Sequence, residues 1–107
     1  MDTNTERRGK PRITCNYPVI VEGTNGKGTK YRENARLKNL SATGQYMVLN
    51  RDVQYGHNLS TTIILTDTHI PDEDFPKLRT YGTVVRIDPL NDGSYGIAIK
   101  FKSYRFL

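Results

Sequence analysis

From residue 13 onward, apolar and polar positions alternate with a period of two. Ile13, Cys15, Tyr17, Val19 and Val21 fall on one side of an extended segment, and Thr14, Asn16, Pro18, Ile20 and Glu22 on the other. That is the pattern of a half-buried β-strand. Pro18 has no N–H for a ladder, which predicts an edge position or a bulge. Gly23, Asn25, Gly26 and Gly28 then crowd a turn, and Asn25-Gly26 between two strand patterns predicts a hairpin. A second strand is expected over Tyr31–Leu40, with Ala35 and Leu37 inward and Arg36 and Lys38 outward. After a break at Ser41–Gly44, strands are expected over Gln45–Leu49 and Leu59–Thr66, the latter with Leu59, Thr61, Ile63 and Leu65 on one face. Pro71, Pro76 and a run of acids make 67–77 a loop. Leu78–Ile87 and Tyr95–Phe101 predict a last hairpin about Asn91-Asp92-Gly93, its second strand alternating Tyr95, Ile97, Ile99 and Phe101 with Gly96, Ala98 and Lys100. No helical period and no internal repeat interrupts this. Six short strands at about ten-residue spacing predict an all-β fold, a small antiparallel barrel or sandwich. A closed sheet would leave no edge to aggregate.

Composition agrees with strands: Val, Ile and Thr are abundant, Trp is absent, and Tyr (7) outnumbers Phe (3). The 107 residues and the initial Met predict one complete domain with one modest core, excluding a large cleft between two domains. A net charge of +5 points to an anionic partner. The single cysteine, Cys15, excludes an internal disulfide and a Cys-based zinc site, fits a reducing compartment, and is expected as an inert packed thiol. With no apolar leader and no long apolar run, the expected location is the cytoplasm, with no membrane insertion. Residues 1–10 hold no aliphatic side chain after Met1, so 1–12 is expected as a flexible basic arm and 13–107 as the folded domain.

Most apparent motifs fail on context. Gly23–Lys30 looks like a phosphate loop, but Lys27 is followed by glycine and then by a strand, where a P-loop needs Ser or Thr and a helix. His57 and His69 lack the spacing of a metal site. Asp67, Asp72, Glu73 and Asp74 read as solvated loop charge. Ser41 has no nucleophile elbow around it. No nucleophile, base and oxyanion donor assemble, so no enzyme, no metal and no cofactor are expected.

Two stretches remain. Arg7-Arg8-Gly9-Lys10-Pro11-Arg12 places four basic residues in six; by itself it reads as a solvated tail. Asn39-Leu40-Ser41-Ala42-Thr43-Gly44 reads as a turn in which Gly44 supplies a positive φ and Asn or Ser caps the bend. Taken in order, Arg8-x-x-x-Arg12 and Asn39-x-Ser41-x-x-Gly44 resemble the signature of the PilZ domain family, and the resemblance covers nearly the whole chain. Gly82–Arg86 and Tyr95–Phe101 look like that family's fifth and sixth strands.

The resemblance implies a six-stranded antiparallel β-barrel of split-barrel type and cyclic di-GMP as ligand. It assigns Arg8 and Arg12 to phosphate clamping, guanine readout and stacking, which suits the guanidinium fork and plane. Arg7, just ahead of the motif, implies an intercalated ligand dimer. Asn39 would offer its oxygen to the guanine N1/N2 edge, Ser41 a hydrogen bond, and Gly44 a close backbone approach. Asn39 stands where many members have Asp and loses a charge-assisted contact. Arg86, expected on the outer face opposite Val85, is a further stacking candidate. The arm would order on binding as ligand neutralises it, and the reshaped surface would signal to a separate downstream protein in motility or exopolysaccharide control. The alternative from another class is a basic OB-like barrel binding single-stranded nucleic acid. The tyrosines do not line up on one predicted face as that would need, which weighs against nucleic acid.

Overall fold

The computed structural model describes residues 13–66 and 75–107. It places seven strands among them: β1 Ile13–Thr14, β2 Pro18–Thr24, β3 Lys30–Leu40, β4 Gly44–Leu49, β5 Asn58–Ile64, β6 Lys77–Pro89 and β7 Tyr95–Phe106. All pairings are antiparallel, and the described residues contain no helix. The strands follow the order β3-β2-β5-β6-β7-β4, and β4 pairs back onto β3, so six strands close into a barrel. The short β1 adds to β3 below β2.

Alternation fills the interior. Leu37, Met47, Leu49, Ile63, Val84 and Ile97 are almost wholly removed from solvent. Each such side chain contributes about 1.5–3 kcal/mol. Val19 and Val21 join them from β2, with Cys15 and Tyr17 packed partly against the same core. Burial pushes the Cys15 thiol up, which disfavours the reactive thiolate. The expected first strand is broken between Thr14 and Pro18. Thr14 sits opposite Asn39 but Pro18 opposite Arg36, one extra residue on the near side. Pro18 opens β2, a position where its missing N–H is tolerated.

Three polar side chains also lie inside. Gln45 from β4, Thr61 from β5 and Thr80 from β6 are buried together. The Thr80 hydroxyl donates to Gln45 Oε1 at 3.0 Å and lies 2.6 Å from the Thr61 hydroxyl. Replacing Gln45 with Leu strands a buried hydroxyl proton, which should cost about 1–3 kcal/mol. The triple change Gln45→Leu, Thr61→Val, Thr80→Val should recover most of that. Urea denaturation of both variants checks it; equal losses would rule the network out.

Two bulges govern the outer surface. Leu37 pairs with Met47 but Asn39 with Tyr46, so Lys38 is an extra residue in β3. Val84 pairs with Ile99 but Arg86 with Ala98, so Val85 is an extra residue in β6. A bulge reverses the in–out alternation beyond it. Asn39 and Arg86, two positions after the buried Leu37 and Val84, therefore turn outward with Tyr46 and Ala98. Val85 is not the core residue facing away from Arg86; it is itself 41% exposed.

Candidate functional site

The outward side of β4, β7 and β6 carries a groove of about 380 Å³. Its floor is low because β7 presents small Ala98 between Tyr46 on one neighbour and Arg86 on the other. Asn39, Ser41, Gly44 and Arg86 all line it, joined by Thr43, Tyr46 and Lys100. Four of the seven residues expected from sequence thus share one depression. Arg7, Arg8 and Arg12 lie outside the described residues.

The β3–β4 turn is held from within. Ser41 N–H donates to Gly44 O at 2.9 Å, and the Ser41 hydroxyl accepts from Thr43 N–H at 3.3 Å. Ser41 therefore caps the bend, as expected for its residue type. Gly44 does not supply a positive φ: among the described residues only Gly28, Gly56 and Gly93 do. Its role is closeness. A Cβ at Gly44 would overlap the main-chain carbonyl oxygen of Ile99, so only glycine lets β4 lie this near β7 at the groove's end. The Asn39 amide has no hydrogen-bond partner among the described residues, which leaves its oxygen and nitrogen open to a ligand.

Arg86 is oriented by its neighbours. Its Nε donates to Asp88 Oδ2 at 3.2 Å, and its Cζ lies 5.4 Å from the centre of the Tyr46 ring. The Tyr46 hydroxyl donates to the same Asp88 oxygen at 3.0 Å. Burial, then this bond and the nearby carboxylate, push the Tyr46 phenol above its ordinary range against the pull of Arg86. Tyr46 can occupy that place because its ring crosses Gly96, where any Cβ would collide with it. Only Nε of Arg86 is engaged among the described residues, so both Nη atoms remain for a planar acceptor pair such as a phosphate or the O6/N7 edge of guanine. The side chain is 58% exposed, so its ion pair with Asp88 is weak and readily exchanged.

Sequence reasoning missed Tyr46, Asp88 and Lys100. The alternation of β4 signals Tyr46, since Gln45, Met47 and Leu49 take the inward positions. The small Gly96 and Ala98 on the outer side of the last strand mark where a groove floor can form.

The PilZ domain family matches the chain over residues 6–105. A search of curated proteins found no match. Among solved structures, the Bacillus subtilis inhibitor of motility (MotI/DgrA) is similar at 20% identity and TM-score 0.69, over 94% of this chain and 44% of that one. This chain thus spans under half of that protein's length. The PilZ domain of YcgR from Escherichia coli, solved with c-di-GMP, is similar at 13% identity and TM-score 0.62, over 92% of this chain and 79% of that one.

Proposed function

Because the chain belongs to the PilZ domain family, we propose that it is a receptor for cyclic di-GMP, binding this second messenger rather than transforming it. The observation that carries the reading is the convergence of Asn39, Ser41, Gly44 and Arg86 on one groove. The YcgR domain, solved with this ligand, supports the choice of messenger. On this reading Arg86 presents its Nη pair to a guanine or phosphate, Asn39 reads the guanine N1/N2 edge, and Ser41 adds a hydrogen bond.

Arg7, Arg8 and Arg12 complete the reading. Ile13 pairs with Leu40, next to Asn39 in β3. Arg12 is one residue further, about 3.8 Å between Cα atoms, and Arg8 is at most ~17 Å of extended chain from Ile13. Both can reach the groove. Ligand phosphates would neutralise the arm and fix it over the barrel, and the altered surface would be read by a separate protein. The name of MotI supports motility as the regulated process. The dispersal of the tyrosines weighs against a single-strand nucleic-acid binder: Tyr31 lies under Arg51, Tyr46 in the groove and Tyr55 out on a turn.

Isothermal titration calorimetry with cyclic di-GMP at modest salt is the test. Saturable binding is expected, with two ligands per chain if Arg7 accompanies an intercalated dimer. Amide exchange should show residues 5–12 gaining protection on binding. A chain that gives no heat with a large excess of the messenger is not a receptor for it.

A further inference from the structure

We infer that a notch beside the groove, formed where β7 runs past β4, is a second subsite for a purine and its phosphodiester. The inference rests on the cyclic di-GMP reading and extends it to residues outside the motif positions.

The notch follows from strand lengths. β4 begins at Gly44, opposite Lys100, whereas β7 continues to Phe106 and beyond Lys100 pairs with β6 alone. The last tie on the β4 side is Phe101 N–H to Thr43 O at 2.8 Å. Below it the overhanging strand and the β3–β4 turn border an open hollow of about 410 Å³, lined by Ala42, Thr43, Lys100, Phe101, Lys102 and Tyr104. Thr43 and Lys100 also line the first groove, so the two depressions abut.

The lining adds a second ammonium group and an exposed aromatic face to what the first groove offers. Cyclic di-GMP carries two purines and two phosphodiesters. The groove, near the small end of ligand-site volumes, offers Arg86, the Asn39 amide, the Ser41 hydroxyl and Lys100 at the edge it shares with the notch. Beside it, Tyr104 is 51% exposed and its ring is braced by Phe101, with centroids 5.5 Å apart and a tilt of 53°. A half-exposed, braced ring is a stacking platform with little ordering left to lose. Lys102 is the extra residue where Tyr81 pairs with Ser103 and Gly82 with Phe101, so it stands clear of the ladder. Lys100 and Lys102 have no carboxylate partner among the described residues, and the notch wall holds no acid. Two ammonium groups with no carboxylate partner among the described residues, beside an aromatic face, suit a nucleotide phosphate and its base.

Calorimetry of the full chain with cyclic di-GMP tests this. Tyr104→Ala should weaken binding roughly five- to 150-fold, the range for losing one base–aromatic stack. Tyr104→Phe should restore most of it, and Lys102→Ala should weaken binding more at low salt than at high. Thermal denaturation without ligand should change little for Tyr104→Ala. In the unaltered chain, ligand should shift the amide resonances of Lys102 and Tyr104, a readout that does not depend on any variant folding. If the unaltered chain binds while Tyr104→Ala binds equally well, or those resonances stay in place, the subsite is wrong and the receptor reading stands. If the unaltered chain does not bind, both fall.

Discussion

Gly44→Ala is expected to lower the melting temperature and to remove at least nine-tenths of the affinity for cyclic di-GMP. The obstacle to the added methyl is the Ile99 carbonyl oxygen, part of the β7 main chain, not a side chain that can swing away. Since φ at Gly44 is not positive, the penalty is steric and has no backbone-freedom component. The strain falls where β4 meets β7, and the same β4 closes the barrel against β3. Overpacking of this kind costs about 1–3 kcal/mol, and each kcal/mol lowers Tm by about 4–8 °C in a domain of this size. Ligand affinity suffers separately, because Gly44, Tyr46 and Lys100 shift relative to one another and all three line the groove. Gly28→Ala is the contrast. Gly28 has φ 82° and open space around it, so alanine there should cost about 1–2 kcal/mol through φ alone and leave binding intact. Thermal denaturation and calorimetry on both variants decide the matter; a Gly44→Ala chain that melts and binds like the parent would refute the steric account.

The double variant Arg8→Ala, Arg12→Ala should show the opposite division between folding and binding. Each arginine, placed on a guanine edge or a phosphate, is expected to contribute about 1–3 kcal/mol. Losing both therefore weakens binding by roughly thirtyfold to more than ten-thousandfold if the effects add. Ligand-free stability should not move, because the fully buried core, Val19 to Ile99, and the ladder pairings of the described residues are complete without either arginine. Calorimetry and a denaturation curve on one preparation are enough. Parental affinity in the double variant would remove Arg8 and Arg12 from the site.

The strands were legible because one face of each is buried, and burial imposes alternation that the sequence must display. What was not legible depends on pairing. A bulge is a mismatch between two strands, so β3 read by itself puts Leu37 and Asn39 on the same side. Only the register with β4 shows Lys38 as the extra residue. The same holds for Val85 in β6, and for Lys102, where lost alternation hid the continuation of β7 from Phe101 to Phe106. The glycine-rich turn was foreseen but not its left-handed residue, which is Gly28 rather than Gly26. Asn25 uses its side-chain oxygen to accept from Lys27 and Thr29 N–H, making a loop wider than a two-residue turn. Ser41 and Gly44 were visible as a motif, whereas the bond from Tyr46 to Asp88 joins positions 42 apart and has no local signature.

The supernumerary residues Lys38 and Val85 also constrain how this chain can change length. Deleting Lys38 would place Asn39 directly after the inward Leu37 and so keep it facing outward; deleting Val85 would do the same for Arg86 after Val84. The extra residues can therefore be lost without burying the reading groups, whereas a one-residue slip of either strand against its partner would turn those groups to face oil instead of solute. Single-codon losses at the two bulges are therefore trims rather than inversions, and the hairpin tip at 25–29, at the opposite end of the barrel from the β3–β4 turn, likewise has room to vary.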